Sequence, residues 1–327
     1  MKSIQHYWYQ SNALVWLLLP LSWLYCLVIS IRRTLYQLKI KRSYSSAVPI
    51  VVVGNIVVGG SGKTPLLISL CEYLINKGFK PGVVSRGYGG SVSGIKQVSV
   101  NDSASLVGDE PLMVCQKTSV PVVVGSDRVA AVKYLINNNQ CDVVLSDDGL
   151  QHYRMRRNFE IAVVDSNRRY GNGFCLPAGP LREKITRLKD VDMVVYNGNV
   201  DVKPEDNYYQ LKITGLQRLN GSESSSLTSF TEKEVHAVAG IGHPQRFFKQ
   251  LGEYSLSVIQ HAYPDHHDYQ QKDFAGWEDE CILMTEKDAV KCRHLSLSDA
   301  WVVCVSAVFS TSLESSFSTK LLPMLNK

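Results

Sequence analysis

The side chains with chemical potential fall into three groups: Gly62-Lys63-Thr64, the pair Asp147-Asp148, and Asp109 with the cluster Asp265-His266-His267-Asp268. Lys63 could reach the outer phosphates of a nucleoside triphosphate, and the Thr64 hydroxyl could ligate Mg²⁺. Gly59, Gly60, Ser61 and Gly62 precede them and would present backbone N–H groups to the same phosphates. The general phosphate-loop pattern has a glycine five positions before Gly62, where this chain has Val57. Gly59 and Gly60 supply the flexibility instead. Asp147 and Asp148 end the apolar run Val143-Val144-Leu145 and suit the second acidic site that a phosphate loop needs for Mg²⁺. Paired aspartates also occur as ordinary turn residues.

Phosphoryl transfer to an alcohol needs a group to take the hydroxyl proton. Asp109, in a Gly-Asp-Glu-Pro turn, and the cluster at 265–268 are the candidates. An aspartate in such a turn is otherwise a helix cap. His266 and His267 would point apart on a strand and have no clear third partner, so a zinc site is not expected. Arg86, Arg128 and Arg182 sit in turns bearing Gly or Pro, where a guanidinium suits phosphate.

These groups need elements to hold them. Pro49 to Val53 is a β-branched apolar run and reads as a buried strand. Leu66, Leu67, Leu70 and Leu74 follow the loop at helical spacing, with Pro65 in the first turn. Further strands are expected at 81–86, 120–124, 141–145, 159–164 and 191–196, alternating with helices. Such alternation implies a parallel sheet with helices on both faces. Ligands would bind beyond the carboxyl ends of its strands, where every polar turn named above lies. Residues 201–233 are polar and carry a Gly-Ser-Glu-Ser-Ser-Ser run, which reads as a linker. Strands at 235–239, 256–260, 281–284 and 301–305 then mark a second α/β unit. The expected division is 1–42 leader and basic flank, 43–200 phosphate-loop domain, 201–233 linker and 234–327 smaller α/β domain.

The chain has 327 residues, 45% hydrophobic, with a net charge of +5. Its charge is uneven. Lys2, Arg32, Arg33, Lys39, Lys41, Arg42 and Lys63 all precede the first acidic residue, Glu72. Ser11 to Ile31 is uncharged and long enough, as a helix, to match a hydrocarbon thickness of about 30 Å. Interfacial aromatics stud it, and the cations at 32–42 follow at once, so the remainder is expected in the cytoplasm. A basic leader suits an anionic surface, either membrane or nucleic acid. Pro20 leaves open whether the helix spans the bilayer or lies on it. Eight scattered cysteines without a C-x-x-C pair read as reduced.

Nine ordered stretches between residues 53 and 291 carry a family resemblance: VGNIVVGGSGKTP, SRGYGG, VGDEP, GSDR, DDGLQH, PAGPLRE, AGIGHPQRFF, DHHDY and TEKDAVK. Together they resemble the tetraacyldisaccharide 4'-kinase (lipid A 4'-kinase) family, whose phosphate loop also lacks the early glycine. The resemblance implies an enzyme at the cytoplasmic face of the inner membrane. It would transfer the γ-phosphate of ATP, with Mg²⁺, to the 4'-hydroxyl of a lipid A disaccharide precursor, and it implies no nucleic-acid partner. Carried over by motif, Lys63 and Thr64 hold phosphates and metal, Asp147 and Asp148 complete the metal site, and Asp109 assisted by His266 activates the hydroxyl. Arg86, Arg128, Gln151, Arg182 and Glu183 would bind substrate or support the site.

Two other classes fit parts of the pattern. A deviant-Walker ATPase would carry a signature lysine where Val58 stands. A regulatory GTP-binding protein would read its base with N-K-x-D, whereas Thr285-Glu286-Lys287-Asp288 places the lysine one position late.

Overall fold

The computed structural model describes residues 8–9 and 13–326. Lys2 and the opening of the apolar run, Ser11 and Asn12, lie outside the described residues. The leader forms helix α1, Ala13–Gln37, running past the apolar stretch into the basic flank. Strand β1, Ile50–Gly54, follows and is buried throughout. Its side chains alternate between two cores, as a period of two requires. Val51 and Val53 pack with Leu66, Leu67, Leu70 and Leu74 of helix α2, Lys63–Asn76. Ile50 and Val52 pack on the opposite face with Val129, Val132 and Leu135. That is why helices cover both sides of the sheet.

The next strands are β2 (Pro81–Ser85), β3 (Ile95–Gln97), β4 (Val122–Gly125), β5 (Val143–Asp147), β6 (Phe159–Asp165) and β7 (Met193–Asn197). Helix α3, Asp109–Thr118, precedes β4, and helix α4, Arg128–Asn138, follows it. Asp127 caps α4, accepting from the N–H groups of Val129 and Ala130. All the neighbouring strand pairs from β4 through β2, β5, β1 and β6 to β7 are parallel, with β3 added antiparallel at the edge.

Residues 201–233 correct the expectation of a linker. They contain β8, Tyr208–Arg218, eleven residues long, and the short β9, Ser224–Ser225. β8 pairs parallel with β7 and antiparallel with β13, Ala300–Phe309. The same sheet then continues through β12 (Ile282–Thr285), β10 (Glu234–Ala239) and β11 (Ser257–Ala262), all parallel. One thirteen-stranded sheet therefore runs through the molecule, with the β8–β13 pair as its antiparallel seam. Much of β8 is only partly buried, so it lacks the continuous apolar run of a buried strand; Tyr209 to Thr214 does alternate apolar and polar, the pattern of a half-buried strand, until the register shift opposite Cys304 and Val305 breaks it. Helix α5, Pro244–Gly252, follows β10, and helix α6, Glu286–Cys292, follows β12.

The leader helix is fastened along one narrow stripe. Val15 and Leu19 pack on Ala178. The Ser22 hydroxyl donates to the Cys175 carbonyl at 2.8 Å, and the Tyr25 hydroxyl to the Arg182 carbonyl at 3.1 Å. Further along the same side, Arg33 pairs with Asp190 at 2.9 Å and the Tyr36 ring packs on Tyr153. The opposite side faces outward, with Trp16 70% and Leu17 77% exposed beside Leu21, Trp23, Leu24 and Leu27.

Candidate active site

The loop between β1 and α2 is set by one side chain of its own and two from elsewhere. Asn55, fully buried, donates to the Ser61 hydroxyl at 3.0 Å. Asn197, at the end of β7, donates to the Ser61 carbonyl at 3.2 Å. The Tyr209 hydroxyl, from β8, donates to the Gly62 carbonyl at 2.5 Å. Gly62 has φ of 86°, left-handed backbone that favours glycine, and a Cβ there would overlap the Asn197 amide and the Tyr209 hydroxyl. Gly59 is left-handed as well, with φ of 100°. Lys63 and Thr64 open α2, so the loop amides and the helix N-terminus share one concavity, as anion binding requires.

Register brings the acidic pair to this loop. Val53 of β1 lies opposite Asp147 of β5, so the carboxyl end of β5 abuts the start of the loop. The Ser85 hydroxyl, ending β2, donates to Asp147 at 3.1 Å. Burial pushes the Asp147 carboxyl up to about 6, reinforced by the negative charges of Glu110 and Asp148. Burial also acts on Asp148, but Lys63 at 3.7 Å and Arg182 at 2.7 Å outweigh it and hold the carboxyl below its ordinary value. One buried oxygen on each carboxylate, Asp147 Oδ1 and Asp148 Oδ1, has no hydrogen-bond partner among the described residues. Carboxylate oxygens of this kind are hard donors of the type Mg²⁺ takes, as is the hydroxyl of Thr64 at the start of α2.

The other expected residues divide by location. Arg182 reaches Asp148 directly. Arg128 is buried behind the strand ends, donating to the Asp147 carbonyl at 2.6 Å and the Ser146 hydroxyl at 3.1 Å. It braces β5 from behind. Gln151 donates to the Asn55 carbonyl at 3.1 Å and to Glu183 at 2.8 Å. Buried Glu183 also accepts from the Tyr153 hydroxyl and pairs with Arg187. Arg86 is exposed and has no hydrogen bond or ion pair among the described residues.

The second half of the sheet supplies the opposite wall. After β10 the chain turns at Gly240-Ile241-Gly242, bringing Gly242 against Gly60. A Cβ on Gly242 would lie 2.9 Å from the Gly60 nitrogen. Arg168 ties this turn down by donating to the Gly242 carbonyl at 2.5 Å. Between the walls lies a cavity of about 190 Å³, polar at Lys63, Glu110 and Lys287 and apolar at Met113, Phe247 and Val303.

Next to the lining residues Glu110, Asp265 and Lys287, Asp109 meets His266. Asp109 is the first residue of α3, is buried, and accepts from the neighbouring Glu110 N–H at 2.8 Å. His266 Nδ1 lies 2.9 and 3.1 Å from the two Asp109 oxygens. Burial alone would raise the Asp109 pKa; the His266 hydrogen bond, with Lys287 and Lys291 nearby, brings it below the ordinary carboxylate range. That hydrogen bond also raises His266, against burial and the Lys287 charge. His266 has φ of 62°, and this local twist sends its ring to Asp109 while His267 turns to Asp273 at 3.1 Å. The Tyr88 ring stands edge-on to His266, 5.0 Å between centroids.

Several residues around the site had no assigned role in the sequence. Asn197, Tyr209 and Lys287 belong to it only through long-range contact. Lys287 lies in the quoted TEKDAVK stretch, which is its one sequence signal. Asp288 from that stretch is fully buried and accepts from the Gly240 N–H at 2.9 Å, holding the Gly240 turn. It is thus committed to the protein, which removes the base-reading role considered for a GTP-binding protein.

Comparison with known proteins agrees along the whole chain. The family model described as LpxK, tetraacyldisaccharide-1-P 4'-kinase, matches residues 14–322. The chain is similar to the tetraacyldisaccharide 4'-kinase of Hahella chejuensis, 46% identical over 94% of this chain and 93% of that protein. The protein of the same name from Methylobacillus flagellatus is 41% identical over 99% and 97%. Among solved structures, LpxK from Aquifex aeolicus in complex with ATP superposes with a TM-score of 0.79 at 26% identity, covering 95% of this chain and 99% of that one.

Proposed function

Since the chain belongs to the tetraacyldisaccharide-1-P 4'-kinase family, we propose how its own residues carry out that reaction and where. The enzyme is an ATP-dependent kinase acting on the 4'-hydroxyl of the tetraacylated disaccharide 1-phosphate, a lipid A precursor. The β- and γ-phosphates rest on the amides of Gly59 to Thr64, with Lys63 against the γ-phosphoryl oxygens. Thr64, Asp147 and Asp148 would hold Mg²⁺, which when bound neutralises phosphate charge. Arg182 orients Asp148. Arg128, Gln151 and Glu183 hold the strand ends and the loop in place, and exposed Arg86 is free to meet substrate.

The observation that carries the reading is the Asp109–His266 contact, whose chain neighbours Glu110 and Asp265 line the phosphate-loop cavity. Asp109 accepts the 4'-hydroxyl proton as that oxygen attacks the γ-phosphorus. The new O–P bond forms, the bond to the β,γ-bridging oxygen breaks, and ADP leaves. His266 orients Asp109 and spreads the charge of the pair. Asp109 comes from segment 43–200 and His266 from segment 234–327, so the acceptor sugar lies between the two halves of the sheet.

The character of α1 supports a place at the cytoplasmic face of the inner membrane. Its outward apolar face and the cations Arg32, Lys39, Lys41 and Arg42 would seat the enzyme there, while Arg33 is paired with Asp190. Each cation contributes about 1 kcal/mol near anionic lipid. The acyl chains of the substrate then stay in the bilayer while its sugar enters the cleft.

The test is transfer of label from γ-labelled ATP to the lipid disaccharide in detergent. Lys63→Ala should lower turnover by several orders of magnitude, because a fixed cation is lost at the developing charge. Near-normal transfer by the folded variant would overturn the assignment of the phosphate loop.

A further inference from the structure

The ammonium of Lys287 sits at the centre of the base site although it comes from the other half of the sheet. Its Nζ donates to Glu110 at 2.9 Å, to Asp265 at 2.9 Å and to His266 Nε2 at 3.3 Å. It also stands 4.0 Å from Asp109 Oδ2. An ammonium has three donors and no acceptor. All three are used, each on a different residue, and the side chain is only 13% exposed. Thr285 places it: this residue caps α6, accepting from the Asp288 N–H, and so fixes the turn that carries Lys287.

The geometry has a chemical consequence for the imidazole. Facing an ammonium, His266 Nε2 can only accept, so it bears no proton. The ring proton therefore lies on Nδ1, which points at Asp109. We infer that Lys287 is a positioning residue that holds His266 in the neutral Nδ1–H tautomer and keeps Asp109 a free carboxylate, by bridging Glu110, Asp265 and His266. Its catalytic consequence rests on the reading of Asp109 as the base; the tautomer does not.

The charges facing the pair are few. Asp109 and Glu110 come from α3, Asp265 from the His266 loop, and Lys287 and Lys291 from α6, with the Tyr88 ring alongside. Asp109, Glu110 and His266 converge closely enough to suggest a metal. The Lys287 ammonium already occupies that convergence and supplies the positive charge. Protonating His266 would set two cations 3.3 Å apart. Lys287 therefore resists the form of the pair in which Asp109 is a weak base.

Two measurements test this. The first is ¹⁵N-histidine NMR of the wild-type enzyme above neutral pH, with the His266 signals assigned by their loss in His266→Gln. The expected pattern is a protonated Nδ1 and a bare Nε2; a protonated Nε2 would overturn the inference even if no Lys287 variant folds. The second is the pH profile of kcat for Lys287→Met and Lys287→Arg, with ATP Kd and Tm alongside. Lys287→Met should lower kcat about 10- to 100-fold, the range for residues that orient a functional histidine. Its acid limb should move up by about one pH unit, since the pair then gains a proton more readily. Lys287→Arg should return the limb towards the wild-type position. A folded Lys287→Met with an unmoved acid limb would overturn the inference. Asp109→Ala, assayed in parallel, separates the two readings: unchanged kcat there sinks the base assignment and leaves the tautomer result standing.

Discussion

Asp109 and His266 are 157 positions apart in the chain and 2.9 Å apart in the fold. One opens a helix in the first half of the sheet. The other lies in a left-handed turn of the second half. Under the proposed mechanism their contact makes the reaction sensitive to how the halves sit together.

Asp109→Ala should lower kcat by roughly 10²- to 10⁴-fold, the span for loss of a general base. The ATP Kd should hold, because Lys63 and the loop amides remain. His266→Ala should cost less, and the double variant should cost less than the product of the singles. Multiplicative effects would show that the two residues act independently.

The pair also sets a pH dependence. Its Asp109 hydrogen bond raises His266 above the ordinary histidine value of 6.5. With Asp109 as the proposed base, activity needs the unprotonated pair, so the acid limb of kcat should lie above that value. Stability runs the other way at this residue. A raised pKa in the fold means the contribution of His266 is fully present below its unfolded pKa and is lost as pH rises through the folded one. Asp109 is lowered from 3.8, so its contribution is present above that value and is lost as pH falls through the folded pKa. Melting temperature against pH, for wild type and His266→Gln, checks both signs: the variant should lose the alkaline decline. If the decline persists unchanged, another group causes it.

Gly62→Ala should abolish transfer and destabilise the protein. The position needs φ of 86°, and the added methyl meets the Asn197 and Tyr209 side chains that hold the loop. The strained backbone alone costs roughly 1–2 kcal/mol. Gly59→Ala has the same backbone demand, φ of 100°, but open space around it. Comparing the two Tm values separates steric overlap from backbone strain; equal losses would mean that overlap contributes nothing.

Trp16→Glu combined with Leu17→Glu should weaken binding to vesicles containing anionic lipid while leaving Tm close to wild type. Both side chains point away from the body, whereas Val15 and Leu19 carry the packing on Ala178. Flotation at low and high salt separates the apolar face from the cations at 32–42, since only the latter is screened. Undiminished flotation by the variant at high salt would rule out this face as the membrane contact.

The sequence alone determined the local devices. A β-branched run, a glycine-rich turn and leucines at helical spacing specify β1, the phosphate loop and α2, because each depends on neighbours within a few residues. The same holds for Asp147-Asp148 at the end of an apolar run and for the uncharged leader before its cations. Tertiary structure decided which of these devices meet. Strand order and register, which no local period encodes, set Asp147 beside the loop and brought Asn197 and Tyr209 to Gly62. The segment 201–233 reads as a linker on its polar composition and its Gly-Ser-Glu-Ser-Ser-Ser run, although Tyr209 to Thr214 alternates apolar and polar as a half-exposed strand does; only pairing with β7 and β13 shows which sheet it joins. The choice of His266 over His267 depends on a contact across 157 positions, and the place of Lys287 on contacts across 177 positions to Glu110 and 21 to His266. Composition and spacing are silent on such contacts, since they are fixed only when both halves of the sheet are assembled.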